Sequence, residues 1–438
     1  MPRGNFPLPR GMRDLTVDDI ARLLWVKSKI LEDLHRYGFR VVEPSPIESL
    51  ETLEAKCGPE IKDEIYWFKD KAGRDLGLRF DLTVGVTRMV ASHPDWITPM
   101  KLAVVSNMWR YDEPQFGRYR CFYQWDAEIY GSSGAEADAE VISLSQDILI
   151  SFGLKDLETR ISNRKLTEGF LTEIGVKPGV ELDSALRVID KYRKLSPEEL
   201  SRQFIKAGLT KEQMNEIRPF ISIQSPLDKA LDSIATLLKD FDENERIKKG
   251  LQELTDLVDT LRSFETGESG ILDMSIVRGL SYYDGNVFEI YDKVGEDIGA
   301  IVGGGRFDTL TKVFGRDLPA TGVAGGIERL MLSLERARLF PNLNQIPQLF
   351  VASASKDMRG KTIELVTHLR ARGLSVDWDT KMRSLKRQLE YADSLGIPYA
   401  VIVGRREIEK GKVKLRNMTK RDEIEVTAEE IPSRIQTS

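Results

Sequence analysis

Strand-forming texture stops at Gly131 and resumes only near Ser275, so this chain must assemble its sheet from segments far apart in sequence. Between Phe39 and Gly131 lie the runs FRVVEP, EIYWFKD, LGLRFDL, MKLAVVSNMWRY and YRCFYQWDAEIYG. They are short, rich in β-branched and aromatic residues, and divided by Gly, Pro and Asp turns, the pattern of an antiparallel sheet. Such runs return over 275–292 and at AIVGGG (300–305), followed by a strand-to-helix passage over 321–337.

Helical periodicity fills the intervals. Thr16 and Asp19 form a capping box, and Ile20, Leu23, Leu24, Ile30, Leu31 and Leu34 recur at helical spacing, which predicts an amphipathic helix over 16–37. A second helix is expected over 135–152. Residues 170–266, rich in Leu, Lys and Glu, read as a helical insertion, with a cap and first-turn proline at Ser196-Pro197 and a capping box at Thr210 and Gln213. Beyond the proline-bounded segment 341–347 the pattern alternates: QLFVAS, a helix over 357–372, LSVDWD, a helix over 383–395, IPYAVIVG and a hairpin. That alternation predicts a small α/β domain. The expected organisation is α+β, with a first core segment at 1–169, the helical insertion at 170–266, a second core segment at 267–341 and the α/β domain at 346–438.

A chain of 438 residues exceeds one ordinary core, which agrees with that division. No stretch approaches the ~18 consecutive apolar residues of a membrane span, and the N-terminus lacks the apolar region of a secretory signal, so a cytoplasmic protein is expected. Cys57, Cys121, His35, His93 and His368 are scattered without metal-ligand spacing, so neither a bound metal nor a disulfide framework is expected. The net charge of −5 argues against indiscriminate nucleic-acid binding. A local basic face is still allowed, because segment 381–421 holds twelve Lys and Arg against four acids.

The densest chemistry lies in Trp109 to Glu128. On a strand, Arg118, Arg120, Phe122, Gln124, Asp126 and Glu128 alternate onto one face. Such a face makes poor core, since every buried charge needs a partner. It suits a ligand site: guanidinium groups match phosphate, the ring can stack on a base, and Gln with Glu can hold a polar substrate. A solvent-exposed hairpin face is the plain alternative. Three further segments stand out. Arg278-Gly-Leu-Ser-Tyr282-Tyr283-Asp-Gly suits a pocket edge. Gly303-Gly304-Gly305-Arg306-Phe307-Asp308 admits close backbone approach to a ligand, without the spacing of a dinucleotide fingerprint. Gly325-Gly326-Ile-Glu328-Arg329 places an arginine in a helix's first turn, where the dipole favours anions, so Arg329 is expected to meet one.

Pro46 after FRVVEPS, Arg110 through Glu128, and Gly325 to Leu330 resemble the three motifs of class II aminoacyl-tRNA synthetases. RGLSYY at 278–283 and GGGRFD at 303–308 resemble two signatures peculiar to the histidyl-tRNA synthetase family, and PRGMRD at 9–14 resembles that family's opening. Ser281 departs from the aspartate common at its position, and Asp81 is shorter than the glutamate of many members. The resemblance implies an antiparallel class II catalytic core, a C-terminal anticodon-binding domain, a homodimer, and the substrates L-histidine, ATP with Mg²⁺, and tRNA(His). It implies that Arg110 holds the α-phosphate and histidine's carboxylate, that Phe122 stacks on adenine, that Arg118 and Arg329 grip the γ-phosphate end, and that Asp112 belongs to the ATP site. Asp81, Thr83 and Gln124 would hold the amino group; Glu128 and Tyr283, supported by Tyr282, would read the imidazole; Arg278 would stabilise charge on the α-phosphate. A catalytically silent paralogue serving as regulatory subunit of ATP phosphoribosyltransferase is the alternative of a different class.

Overall fold

Thr16 opens the first helix as its spacing predicts, in a computed structural model that describes residues 6–55, 59–113, 119–241, 243–264, 270–278, 282–343 and 345–435. The Asp19 carboxylate accepts from the Thr16 amide at 2.9 Å while the Thr16 hydroxyl caps the Asp19 amide, and the helix runs Val17–Arg36. Its stripe of Leu23, Val26, Ile30 and Leu34 is buried against the sheet with Trp125 and Ala127. The chain divides into two compact units, Met1–Asn342 and Leu343–Ser438.

The first unit is built on a nine-stranded sheet. Arg40–Val41 runs parallel to Met100–Trp109 at one edge. Then follow, in antiparallel succession, Cys121–Tyr130, Ala320–Gly326, Val302–Arg306, Asn286–Asp292 and Leu157–Asn163. Gly270–Asp273 pairs parallel to the last of these, and Gln224–Pro226 closes the other edge. Segments on both sides of the helical stretch thus share one sheet, and Cys121–Tyr130 lies directly beside Ala320–Gly326, almost two hundred positions later in the sequence.

Leu157–Asn163, Gly270–Asp273 and Gln224–Pro226 fall outside the expected strand runs. The last lies within 170–266; it is short and polar, and its proline is tolerated because it sits on an edge. Helices Arg164–Glu173, Val180–Ile189, Pro197–Lys206, Lys211–Ile221, Leu227–Leu238 and Glu245–Ser263 fill the rest of that stretch. Leu166, Phe170, Phe204, Ile217 and Leu254 join the same hydrophobic cluster as Trp125, so these helices pack onto the sheet.

Two expectations about the strands are corrected. EIYWFKD and LGLRFDL stay out of the nine-stranded sheet: Trp67–Lys69 and Asp75–Leu78 pair antiparallel in a separate three-stranded sheet with Ile47–Ser49, and beyond Leu78 Asp81 caps a helix, Leu82–Ala91, by accepting from the Val84 amide at 3.2 Å. Burial of Leu82, Val84, Val86 and Val90 outweighs the weak helix preference of their β-branched neighbours. Among the described residues of 275–292 only Asn286–Asp292 is strand, and Arg278 has φ +58°, which no strand admits.

The second unit has a five-stranded sheet in which Val376–Trp378, Leu349–Ser353 and Tyr399–Val403 are parallel, and Val413–Asn417 and Glu423–Val426 continue antiparallel. Helices Arg359–Ala371 and Leu385–Ser394 supply the crossovers, as the alternating pattern predicts.

Arg306 joins strand and helix inside the first unit. Its Nη2 lies 2.8 Å from Asp138 Oδ1, with further bonds to the Ser132 and Gly134 carbonyls. Asp138 also accepts from Asn286, and Asn286 from Asn163. Replacing Asp138 by Ala leaves Arg306 with only Asp308 as counter-charge among the described residues, in a buried site, so the variant should lose about 3 kcal/mol. Chemical denaturation checks this; an unchanged midpoint would show that the pair contributes nothing net.

Candidate active site

Cys121–Tyr130 pairs along its whole length with Met100–Trp109, Glu128 opposite Leu102. Its alternation divides two environments. Trp125, Ala127 and Ile129 enter the core under the first helix, while Tyr130, with Phe122 packed alongside, joins Leu82, Tyr282, Tyr283 and Phe307 on the opposite face. Gln124, Asp126 and Glu128 project on that second face and are all buried. Arg120, expected in the same row, instead packs on Tyr111 and donates from Nε to the Asp112 carbonyl at 3.0 Å, because regular pairing begins only at Cys121. Arg118 lies outside the described residues, as do Gly279, Leu280 and Ser281.

Three carboxyl groups meet here, and each holds its proton more tightly than usual. Burial pushes the Glu128 pKa from 4.5 to about 8, against the opposing hydroxyls of Tyr130 and Thr83. Tyr130 donates to Glu128 Oε2 at 2.5 Å, while buried Oε1 has no hydrogen-bond partner among the described residues. Asp126 is likewise raised well above its ordinary value, by burial first and then by the negative charges of Asp81 and Glu128. Gln124 Nε2 donates to Asp126 Oδ1 at 2.7 Å, leaving buried Oδ2 without a partner among those residues. Asp81 is raised by burial, with Arg110 the largest opposing influence, and accepts from the Tyr282 hydroxyl at 3.2 Å. Thr83 stands in the helix turn that Asp81 caps.

Such a cluster is an acceptor site for N–H groups and positive charge. Two buried carboxyl oxygens without hydrogen-bond partners among the described residues are costly, and a ligand whose donors meet the groups in their ionised form removes that cost. Among the described residues, no three acidic, histidine or cysteine side chains converge as a metal-holding group. The opposite charge lies close by. Arg110 Nε donates to the Phe80 carbonyl at 2.9 Å, and its guanidinium sits 5.3 Å from the Phe122 ring centre. Arg278 lies 5.8 Å from the Tyr283 ring centre and donates to Glu289 at 2.6 Å. Thus Asp81, Thr83, Arg110, Phe122, Gln124, Glu128, Arg278, Tyr282 and Tyr283 form one contiguous group. Asp126, which alternation places on the same face but which the sequence gives no separate role, belongs with them.

The glycine triplet serves a different purpose from the one its composition suggests. A Cβ on Gly303 would fall 2.4 Å from Arg278 Nη1, and one on Gly304 would meet the Gly322 carbonyl at 2.2 Å. The space is filled by the protein's own groups. Across the sheet, Arg329 stands in the first turn of helix Ile327–Arg336 and donates to the Ala300 carbonyl at 2.7 Å. Beside it, Glu328 accepts from the Tyr123 amide and from Arg13, tying helix, strand and N-terminal segment together.

A family model described as Histidyl-tRNA synthetase matches residues 11–330, and one described as Anticodon binding domain matches 348–438. The chain is 37% identical over 428 residues to the histidine–tRNA ligase of Pyrococcus abyssi, covering 97% of each. It is 36% identical over 413 residues to that of Thermococcus kodakarensis, covering 93% of each. Its fold matches the crystal structure of histidyl-tRNA synthetase from a Nostoc species with a TM-score of 0.78 at 27% identity, over 99% of this chain and 100% of that one. A Bacillus halodurans structure, described as an ATP phosphoribosyltransferase regulatory subunit/histidyl-tRNA synthetase, matches with a TM-score of 0.71 at 26% identity, over 85% of this chain and 92% of that one.

Glu128 makes the unliganded site sensitive to pH. Folded, it keeps its proton to about pH 8; unfolded, it loses it near the ordinary 4.5, so its burial subtracts stability increasingly between those values. Glu128→Gln carries no such penalty and can still accept from Tyr130. Without ligand, the variant should melt at a higher temperature than the parent at pH 8, with the gap closing towards pH 4.5. Thermal scans across that range decide it; a constant gap would contradict the protonation argument.

Proposed function

This chain belongs to the histidyl-tRNA synthetase family, and from that premise we propose how its residues divide the reaction. It is a histidine–tRNA ligase: histidine is activated with ATP, pyrophosphate leaves, and the histidyl group passes to the 3′ end of tRNA. The observation that carries the division of roles is the charge pattern of the site. Buried acceptors lie at one end and arginines beside an aromatic ring at the other. An amino acid rich in N–H donors suits the first; a nucleotide polyphosphate suits the second.

In this reading Asp81, Thr83 and Gln124 take the α-ammonium group of L-histidine. Glu128 and Tyr283 take the imidazole nitrogens, and Tyr282, held by Asp81, forms the pocket wall. Histidine's ammonium and N–H donors supply what the unpartnered oxygens lack. Arg110 bridges the amino acid carboxylate and the α-phosphate, Phe122 stacks on adenine, and Asp112, Arg118 and Arg329 complete the ATP site. ATP enters as its Mg²⁺ complex, a substrate whose cation offsets phosphate charge. Attack of the carboxylate oxygen on the α-phosphorus expels pyrophosphate, and Arg278 stabilises the charge that builds on the phosphoryl oxygens. The terminal ribose hydroxyl of tRNA(His) then attacks the activated carbonyl and releases AMP.

For the rest of the chain, 1–169 and 267–341 form the catalytic core, 170–266 the helical insertion, and 346–438 the anticodon-binding domain. The enzyme works in the cytoplasm as a homodimer. Val41, Ile47, Trp67 and Phe68, which are exposed apolar residues near Pro46, support a subunit interface. Among the described residues no helix is long and apolar enough to cross a membrane. On the second unit, Lys386, Arg387, Arg406, Lys410, Lys420 and Arg421 are exposed, whereas Lys414 and Arg416 face Glu423. The exposed set supports tRNA contact there.

Histidine-dependent ATP–pyrophosphate exchange, compared with the other amino acids, tests the whole reading, and lack of exchange with histidine would favour the regulatory alternative. Arg278→Ala should lower kcat for exchange by roughly 10²–10³-fold, the loss expected of one transition-state donor; a near-normal rate removes it from the mechanism. Charge reversal of Lys386 and Arg387 together should raise KM for tRNA and leave exchange unchanged, as steady-state aminoacylation would show.

A further inference from the structure

Arg278 is held in a slot. Its backbone has φ +58°, uncommon for a residue with a side chain, and its guanidinium lies where Gly303 leaves room. Gly303 pairs with Glu289 across strands Val302–Arg306 and Asn286–Asp292. From that position Glu289 reaches Arg278: Oε1 accepts from Nη1 at 2.6 Å. The other oxygen is also used, accepting from the Tyr291 hydroxyl at 2.5 Å. Residues 289 and 291 share a strand face, so the clamp is built on a single rigid element.

The clamp is itself braced. Arg160 lies over the Tyr291 ring at 4.3 Å and pairs with Glu158 at 2.7 Å and Asp273 at 3.8 Å. Asp273, fully buried, takes Arg193 at 2.5 Å, and Arg193 belongs to the helical stretch. A small cavity of about 80 Å³, lined by Asp190, Arg193, Ser275, Glu289 and Tyr291, separates that stretch from the carboxylate. Meanwhile the Arg278 Nε donor is buried without a partner among the described residues. A long arginine side chain normally samples many rotamers, and one with both a fixed anchor and an unused donor is prepared for a further acceptor.

We infer that Glu289 is the positioning residue for Arg278: it touches no substrate, and with Tyr291 it fixes the guanidinium before ATP binds. This rests on the assignment of Arg278 to the α-phosphate. Removing the clamp frees the arginine without removing its charge, so the transition state suffers more than substrate binding.

The test uses the full-length enzyme in histidine-dependent ATP–pyrophosphate exchange. Glu289→Ala should lower kcat by at least about tenfold, with KM for ATP and histidine within about threefold, as expected when a charge-assisted bond that organises the transition state is lost. The isosteric Glu289→Gln, which still accepts from Arg278, should recover most of that loss. Tyr291→Phe, which removes only the second bond and preserves packing, should lower kcat by about threefold, and it provides the measurement if Glu289→Ala melts below assay temperature. In a double-mutant cycle, Arg278→Ala with Glu289→Ala should be no slower than Arg278→Ala alone. Additive losses, or full kcat in Glu289→Ala or Tyr291→Phe beside a crippled Arg278→Ala, would overturn the inference. A near-normal Arg278→Ala would overturn the role of Arg278 itself, and the positioning role with it.

Discussion

The pleat of Cys121–Tyr130 imposes a constraint from which the rest of the first unit follows. One face must seal Trp125 and Ala127 into an apolar core under the first helix, while two residues away the chain presents Gln124, Asp126 and Glu128. No surface loop could keep those acids from water. A central strand can, because its neighbours Met100–Trp109 and Ala320–Gly326 are bonded to it on both sides. The carboxyls are therefore strongly desolvated, and their raised proton affinity follows from the position of the strand.

Glycine and arginine act as a pair in the same sheet. Gly303 is small so that Arg278 can cross the strand, and Gly322 lies opposite Glu128, where a Cβ would fall 2.9 Å from the Glu128 Cγ. Arg306, one strand position past the triplet, is consumed by Asp138 and by two carbonyls. Two arginines in neighbouring signatures thus have opposite employments. One is satisfied by several partners and holds the fold, and the other retains, among the described residues, an unpartnered donor in the site.

Much of the site is legible in the sequence alone. Alternation placed Phe122, Gln124 and Glu128 on one face, and the tyrosine pair beside Arg278 suggested a pocket edge. Both follow from local periodicity, which depends on near neighbours alone. Arg120 broke the row because pairing begins one residue later. Asp81 left its expected strand because a carboxylate ahead of Leu-Thr-Val caps a helix that buries well. The strands at 157–163, 224–226 and 270–273 gave little local signal, since their partners, and not their composition, make them strands.

Sequence by itself determined the capped helices, the alternating second unit, the discontinuity of the sheet and the residue types that chemistry would use. Tertiary structure alone decided which of those residues are sealed from water and which charges already have partners. It showed Gly303 making room for an arginine, Asp126 and Glu128 both sealed from water, and Glu289 seated against Arg278. The reason is physical: periodicity is written by bonds between near neighbours, whereas desolvation and pairing depend on groups brought together from distant parts of the chain.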